Sequence, residues 1–177
     1  LIRTLKNRNI PLLPNYRYEL STAILPWLQS WANNFKQGIA LFFDYGYPRT
    51  QYYHPERRLG TLTAFKSHQQ VSNVLARMGE QDLSVHVDFT LLAENLQAAG
   101  MQVQSFMQQG PFLLQCGLEL LLADAFASRN EKQQRALTQN VKNLIHPGEM
   151  GERMQVMIAS KNCTYLPFQD FDQRHTL

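Results

Sequence analysis

The spacing of apolar residues predicts helices in four places along the chain. In the first two of them apolar residues recur every three or four positions, as they do on the buried stripe of an amphipathic helix. The predicted helices cover about Thr22–Phe35, Phe89–Ala99, Phe112–Ala127 and Glu131–Ile145. Ser21 is the predicted cap of the first helix, and Gly100 closes the second. Residues 1–18, rich in Asn, Arg and Pro, are predicted to be an extended lead-in.

Three shorter segments have the pattern of strands. Ile39–Phe43 is an unbroken apolar run, which is typical of a strand buried on both faces of a parallel sheet. Met101–Met107 and Met154–Ala159 alternate apolar and polar residues, as half-buried strands do. The order of strand, helix, strand, helices and strand indicates an α/β fold.

This pattern lacks part of a complete nucleotide-binding domain. The predicted strands are too few for a doubly wound sheet, and no G-x-G-x-x-G turn occurs in the sequence. We therefore expect the distal half of an α/β domain, over residues 1–160, whose cofactor is bound largely elsewhere. A long connection over about 47–81 is typical of a lid or binding loop, and residues 161–177 are a polar tail.

Composition and charge exclude several classes of function. The chain is 44% hydrophobic and 18% charged, which favours a packed core over disorder. Its net charge of +3 is spread along the sequence, so no nucleic-acid-binding stripe is predicted. The two cysteines have neither a disulfide framework nor a zinc pattern. The most apolar run, Phe112–Ala127, contains Glu119 and Asp124 and is shorter than the ~20 residues of a membrane-spanning helix.

The first candidate for chemistry is Asp44-Tyr45-Gly46, directly after the first predicted strand. Ligands of open α/β sheets bind outside the carboxyl ends of the strands, so an acid at this place is well situated. The alternative is an ordinary turn, in which Asp and Gly are frequent.

The second candidate is the segment Gly79–Phe89, which sets Asp82, His86 and Asp88 ahead of a predicted helix. Asp88 can equally be a helix N-cap, and His86 a hydrogen-bonded structural imidazole. The third candidate is Gly60–His68, which contains Thr61. His54 and His68 lack the spacing of metal ligands, so no metal site is predicted. No G-x-S-x-G motif supports a hydrolase.

The order of several short motifs resembles the MidA family of S-adenosylmethionine-dependent methyltransferases over roughly Leu13 to Ser160. The matching segments are Tyr16-Arg17-Tyr18-Glu19, Phe43–Tyr47, Gly60-Thr61-Leu62, Asp82–Phe89, Phe112-Leu113 and Pro147–Glu152. Ser84 replaces the usual threonine of that family. The family's acidic glycine-rich turn and its Asn-Glu motif precede this region and have no counterpart in the sequence.

The resemblance implies the carboxy-terminal half of a class I, Rossmann-like methyltransferase sheet with helical insertions. It implies S-adenosylmethionine as cofactor, bound mostly by the preceding half, and arginine of a partner protein, such as a respiratory-complex subunit, as methyl acceptor. The fragment alone is expected to be inactive and to self-associate through its exposed sheet edge. The compartment implied is the bacterial cytoplasm or the mitochondrial matrix.

The chemistry of this reaction explains why acids are needed. The guanidinium and the sulfonium donor are both cations, and they repel by about 4 kcal/mol at ~4 Å and an effective dielectric of ~20. Carboxylates offset this repulsion and orient the acceptor. The candidate catalytic residues are Asp44, Asp82 and Asp88, and the candidate substrate-binding residues are Tyr45, Gly46, Thr61, His68 and His86.

Two other functions remain open from the sequence. The chain can be a non-catalytic assembly module that binds a respiratory-complex subunit through the long connection over 47–81. It can also belong to a methyltransferase of another acceptor, because a fold does not determine a substrate.

Overall fold

The structure, a computed structural model, describes residues 2–76, 79–163 and 171–177. The α-helices of these residues are α1 (Ile2–Asn7), α2 (Ile24–Asn34), α3 (Arg49–Tyr52), α4 (Phe89–Ala98), α5 (Gln109–Gln115), α6 (Leu118–Ala127), α7 (Glu131–Ile145) and α8 (Met150–Arg153). The strands are β1 (Gly38–Tyr47), β2 (Thr63–Lys66), β3 (Gln69–Val71), β4 (Asp82–Ser84), β5 (Val87–Asp88), β6 (Gln102–Gln108) and β7 (Met154–Lys161). Short 3-10 turns lie at Pro55–Arg57 and Arg174–Thr176.

Four strands form the main sheet in the order β5-β1-β7-β6. Strand β7 lies between β1 and β6 and runs antiparallel to both, so β1 and β6 point in the same direction. Strand β5 pairs in parallel with the last two residues of β1, Gly46 with Val87 and Tyr47 with Asp88. This pairing brings the segment before α4 to the carboxyl end of β1.

Helices α2 and α4 cover one face of the main sheet. Their apolar stripes meet the strands in a core that contains Leu28, Ala32, Phe89, Leu92, Leu96, Phe106 and Met157. Burial of a large apolar side chain contributes about 1.5–3 kcal/mol, so this layer stabilises the domain. A sheet covered by helices confirms the predicted α/β class.

The other face of β1 differs from the prediction. The strand was expected to be buried on both faces of a parallel sheet, but Ile39, Leu41, Phe43 and Tyr45 are 40–49% exposed, and the long neighbour β7 is antiparallel. The prediction was wrong because an apolar segment shows only that its residues are hydrophobic. It does not show whether other elements pack against both faces of the strand. We call these four side chains the exposed face of β1.

Strand β1 also has an edge with little pairing. Residues Gly38 to Tyr45 pair with β7 on one side. On the other side, β5 is the only described strand that pairs with β1, and it meets Gly46 and Tyr47 alone. Free N–H and C=O groups along such an edge can pair with a further strand.

Two predictions for the amino-terminal region are wrong. Residues Ile2–Asn7 form helix α1, because burial of Leu5 and Ile10 against Tyr52 and Tyr53 stabilises this segment. Helix α2 begins after Ala23, whose side chain makes no capping hydrogen bond, so Ser21 is not its cap.

The predicted helix Phe112–Ala127 is two helices, α5 and α6. Gly117, between them, has a φ of 84°, the left-handed conformation that glycine adopts readily, and the axes bend by 67°. Within the described residues, no single helix has both the length and the apolar character to cross a membrane, although this bent pair has both when taken together.

Four other predicted elements are confirmed. Helix α7 has the predicted bounds and begins with a capping box between Asn130 and Gln133. Helix α4 and strands β6 and β7 lie within two residues of their predicted ends. Glycines allow α5 and α8 to approach the end of α7, since a side chain at Gly110 or Gly151 would meet the backbone of Ile145.

The long connection is more ordered than its sequence pattern indicated. It contains α3, β2 and β3, and the two strands form a second sheet with β4, directly after the connection, in the order β3-β2-β4. The predicted polar tail falls partly on residues 164–170, which lie outside the described residues. Further on, Asp172 Oδ1 accepts from Phe106 N at 3.1 Å, and Gln173 N donates to Phe106 O at 2.7 Å. These bonds tie the last described segment to β6.

Candidate functional site

The candidate site lies at the carboxyl end of β1, where β5 pairs with it in parallel. Gly46 is buried there, and a side chain at this position would meet the Val87 carbonyl oxygen and approach the Phe89 ring to 2.8 Å. Gly46 was predicted to bind substrate. Its place beside β5 gives it a structural role, because the missing side chain lets the two strands come together, and its assignment to substrate binding stays a prediction.

Three rings form the centre of the site, and we call Tyr45, Tyr47 and His86 the aromatic cluster. The His86 ring lies 6.2 Å from the Tyr45 ring, in a stacked arrangement, and 5.4 Å from the Tyr47 ring. The Arg57 guanidinium sits 3.9 Å from the centroid of Tyr47. A guanidinium over an aromatic face is a favourable cation–π contact.

The imidazole of His86 is kept neutral. Burial lowers its pKa, and the positive charge of Arg57 lowers it further, whereas Asp44 and Glu19 act in the opposite direction. Its Nδ1 atom is buried and has no hydrogen-bond partner among the described residues. At neutral pH the ring therefore holds a free lone pair or an unused N–H beside two tyrosines.

Asp44 supplies an accessible negative charge next to the aromatic cluster. Its side chain is exposed, and Oδ1 accepts a hydrogen bond from Tyr45 N at 2.7 Å. Tyr45 is itself 40% exposed. Asp44 and Tyr45 are consecutive exposed residues at the carboxyl end of the strand, where the sequence predicted a ligand, and the charge of Asp44 acts on the pKa of His86.

Thr61 belongs to a network with a residue to which the sequence assigned no role. The carboxylate of Glu19 accepts from Thr61 N at 2.9 Å, Thr61 Oγ1 at 2.8 Å and Leu62 N at 2.8 Å. Thr61 Oγ1 accepts in turn from His86 N at 3.1 Å. Glu19 stands in the tyrosine-rich motif ahead of α2, but only the fold brings it to Thr61.

Asp88 has the contacts of a structural residue. Its Oδ1 accepts from Leu91 N at 2.9 Å and caps α4, and its Oδ2 lies 3.6 Å from Arg49 Nε. Arg49 also forms a bidentate pair with Glu94. Burial raises the pKa of the Asp88 carboxyl, although the Leu91 N–H and Arg49 oppose the shift. These contacts favour the capping alternative over a catalytic role.

The capping role leads to a measurable difference between two substitutions. Asp88→Ala is expected to cost about 1 kcal/mol or more of unfolding free energy, because it removes the cap, whereas Asp88→Asn keeps it. Since the folded-state pKa of Asp88 is raised, ionisation of this carboxyl lowers stability as the pH rises through that pKa. The asparagine variant should therefore lose little at neutral pH.

Urea denaturation of both variants at pH 7 and pH 5 measures this difference. Equal losses in the two variants would mean that the ion pair with Arg49, and not the cap, dominates at Asp88.

Asp82 and His68 lie on the second sheet. Asp82 is exposed on β4 and pairs with Phe65 of β2. His68 is exposed in the turn between β2 and β3, where its φ is 63°. In the part of the chain that the structure describes, no hydrogen bond or ion pair joins either side chain to Asp44 or His86. Their assignment as catalytic and substrate-binding residues stays a prediction.

The site is an open surface. A cavity of about 680 Å³ lies elsewhere, between α4 and residues Asp172–Leu177, and another of about 730 Å³ lies between α1 and the start of α2. Among the described residues, no three His, Cys, Asp or Glu side chains are grouped so that they could hold a metal ion.

Comparisons with known proteins agree with this fold. The family described as "Putative S-adenosyl-L-methionine-dependent methyltransferase" matches residues 1–107. A crystal structure from Burkholderia thailandensis, of an uncharacterized COG1565 superfamily protein, is 29% identical over 89% of this chain, with a TM-score of 0.82. A second one from the same organism, a COG1565 superfamily member bound to S-adenosyl-homocysteine, is 27% identical over 100% of this chain, with a TM-score of 0.87.

The matching region is less than half of each solved relative. It covers 42% of the first chain and 46% of the second. No curated protein matches the sequence significantly. The likeness to these structures confirms the predicted Rossmann-like methyltransferase fold.

Proposed function

The chain belongs to the family described as "Putative S-adenosyl-L-methionine-dependent methyltransferase", and from this premise we propose that it carries the acceptor-binding half of such an enzyme. The methyl acceptor we propose is arginine on a partner protein, such as a respiratory-complex subunit, as in the MidA-like proteins that the motifs resemble. S-adenosylmethionine is the cofactor that the family and the S-adenosyl-homocysteine-bound relative support.

The observation that carries the proposal is the accessible acid beside the aromatic cluster. Asp44 is placed to pair with a cationic acceptor, and the exposed ring of Tyr45 offers it a π face. The same cluster already holds one guanidinium, that of Arg57 over Tyr47. A surface of this composition binds and orients a guanidinium better than a neutral acceptor.

We propose that the described residues of this chain do not bind the cofactor by themselves. The sequence has no G-x-G-x-x-G turn, and the described side chains at the carboxyl end of β1 are an acid and aromatic rings. When bound, S-adenosylmethionine supplies the methyl group. The contribution we assign to this chain is limited to holding the acceptor and offsetting its charge.

We propose that a complementary half covers Ile39, Leu41 and Phe43 of the exposed face of β1 and leaves Tyr45 free for the acceptor. These three large apolar side chains lie beside a strand edge that no described strand pairs with before Gly46, which is costly in water and typical of a surface that another element covers. The solved relatives have more than half of their length outside the matching region. That remaining part, on the same polypeptide or another, is our proposed source of the further strands and the cofactor-binding turn.

An assay of binding and methylation tests both parts of the proposal. Calorimetry should detect little binding of S-adenosyl-homocysteine to residues 1–177 alone, and binding should appear when the complementary half is present. The complete protein should then transfer labelled methyl groups to arginine in a client protein, as identified by mass spectrometry.

Two results would contradict the proposal separately. Tight binding of S-adenosyl-homocysteine to residues 1–177 alone would remove the need for a complementary half. Label on lysine, on a carboxylate or on a small molecule, with none on arginine, would overturn the acceptor that we propose and leave the methyltransferase family intact.

A further inference from the structure

The Glu19 carboxylate is surrounded by hydrogen-bond donors. Besides Thr61 N, Thr61 Oγ1 and Leu62 N, the Tyr52 hydroxyl donates to Oε2 at 3.2 Å. Gly60 allows this approach, because a side chain there would collide with Glu19 Oε1. Two of these partners are backbone N–H groups and two are hydroxyls, so the side chain of Glu19 joins four donors at one place.

The segment around Glu19 is anchored independently of its carboxylate. Tyr53 donates from its hydroxyl to the Glu19 carbonyl oxygen at 2.8 Å, and Arg17 N donates to Arg58 O at 2.8 Å. The side chain is thus held at a fixed place beneath the loop Gly60–Leu62. Such anchoring makes Glu19 a rigid support for that loop.

Thr61 transmits this support to the aromatic cluster. Its hydroxyl donates to Glu19 Oε2 at 2.8 Å, and the same oxygen accepts from His86 N at 3.1 Å. The residue whose backbone is held in this way carries the imidazole that lies between Tyr45 and Tyr47. The Glu19 carboxylate, the Thr61 hydroxyl and the His86 backbone therefore form one chain of hydrogen bonds.

We propose that Glu19 is a positioning residue, which acts through the Thr61 hydroxyl to hold the His86 imidazole against Tyr45 and Tyr47 at the acceptor-binding surface. The hydrogen bonds fix the backbone from which the ring projects, while the use of the ring in binding an acceptor rests on the proposed function. The ligand is of the same class as in the proposed function, a guanidinium that contacts the aromatic rings and the carboxylate of Asp44.

The physical reason for such a support is the unpartnered Nδ1 atom. A buried imidazole nitrogen without a partner is unfavourable, so a free side chain would turn towards water. The hydrogen bond from His86 N to Thr61 Oγ1 keeps the backbone in place, and so limits how far the whole residue can move away from the two tyrosines. The ring then stays in place with an unused polar atom that a ligand can engage.

Thr61→Val is the most direct test, because it removes the hydroxyl and keeps the shape and all charges. The groups that surround His86 and influence its titration are Arg57, Asp44, Glu19 and the two tyrosines of the aromatic cluster. They are unchanged in this variant. In the complete protein, NMR titration should show that the pKa of His86 rises towards its ordinary value, since the ring becomes more exposed. Thr61→Ser, which keeps the hydroxyl, should retain the wild-type titration.

Glu19→Gln provides a second, independent measurement. An amide turns an NH2 group towards donors, so the support is lost, and nuclear Overhauser contacts between His86 and the tyrosine rings should weaken. In methylation assays, kcat should fall roughly tenfold to a hundredfold, as expected for a displaced binding group, while KM for S-adenosylmethionine stays unchanged.

The possible outcomes separate this inference from the proposed function. A lower melting temperature in Thr61→Val, with the His86 titration and ring contacts unchanged, would show that the network is only structural and overturn the inference. A second outcome is that the His86 signals are displaced in both variants but the wild-type protein does not methylate arginine. This outcome would uphold the positioning role of Glu19 and reject arginine as the acceptor.

Discussion

In the complete protein, Asp44→Asn is expected to slow methyl transfer to arginine at least about a hundredfold. The two cations of this reaction repel by about 4 kcal/mol at close approach, and each ~1.4 kcal/mol of lost compensation slows the rate tenfold. The carboxylate of Asp44 is exposed, and its described hydrogen bond is local, to Tyr45 N. The melting temperature should therefore change little.

Single-turnover methylation with saturating cofactor measures this effect, and Asp124→Asn is the matched control. Asp124 is exposed on α6 and the substitution changes net charge equally. Equal rates in the two variants would exclude Asp44 as the compensating acid. Asp82→Asn should be tested in parallel. A slow rate in that variant alone would show that Asp82, and not Asp44, is the acid that offsets the repulsion between the two cations.

Gly46→Ala is expected to destabilise the protein by about 1–3 kcal/mol, which lowers the melting temperature by roughly 2–10 °C. The added methyl group would meet the Val87 carbonyl oxygen and come within 2.8 Å of the Phe89 ring. Backbone cannot move aside as a flexible side chain can, and Phe89 is fully buried in the main core. The overlap thus displaces β5 or the start of α4.

Thermal denaturation with Gly148→Ala as control isolates the effect of this contact. Gly148 has a φ of 83° but no atom within 4 Å of an added side chain, so that variant pays only for backbone strain, about 1 kcal/mol. If Gly46→Ala were as stable as the wild type, the close contact between β1 and β5 would not be needed for the stability of the fold. A clearly larger loss in Gly46→Ala than in Gly148→Ala would show that the close contact holds β1 and β5 together.

Local sequence determined the helices and strands whose signals lie within a few residues. The apolar stripe and the capping pair Asn130 and Gln133 are sufficient to set the start of α7, because both act over a single turn. Asp88 was recognised as a possible cap on the same grounds, and the hydrogen bond from Leu91 N agrees. Helix α1 escaped prediction because burial of Leu5, which is a tertiary contact, stabilises it.

Single candidate residues of the site could be predicted from the sequence, but which of them lie close together could not. Asp44 was a candidate because it follows a predicted strand, and His86 was a candidate because it precedes a predicted helix among several acids. Their proximity depends on the parallel pairing of β1 with β5, between residues about 40 positions apart. Glu19 had no local signal of its role, since its partners Thr61 and Leu62 lie 42 and 43 residues away.

The sequence by itself determined the α/β class, the bounds of α4, α7, β6 and β7 to within two residues, and the resemblance to S-adenosylmethionine-dependent methyltransferases, because periodicity, caps and short motifs act locally. Only the tertiary structure decided which side chains share the site and which faces stay uncovered. Ile39, Leu41 and Phe43 read as buried in the sequence, yet they are exposed in the described structure. Burial and hydrogen-bond partners depend on which distant segments meet, and no window of neighbouring residues contains that information.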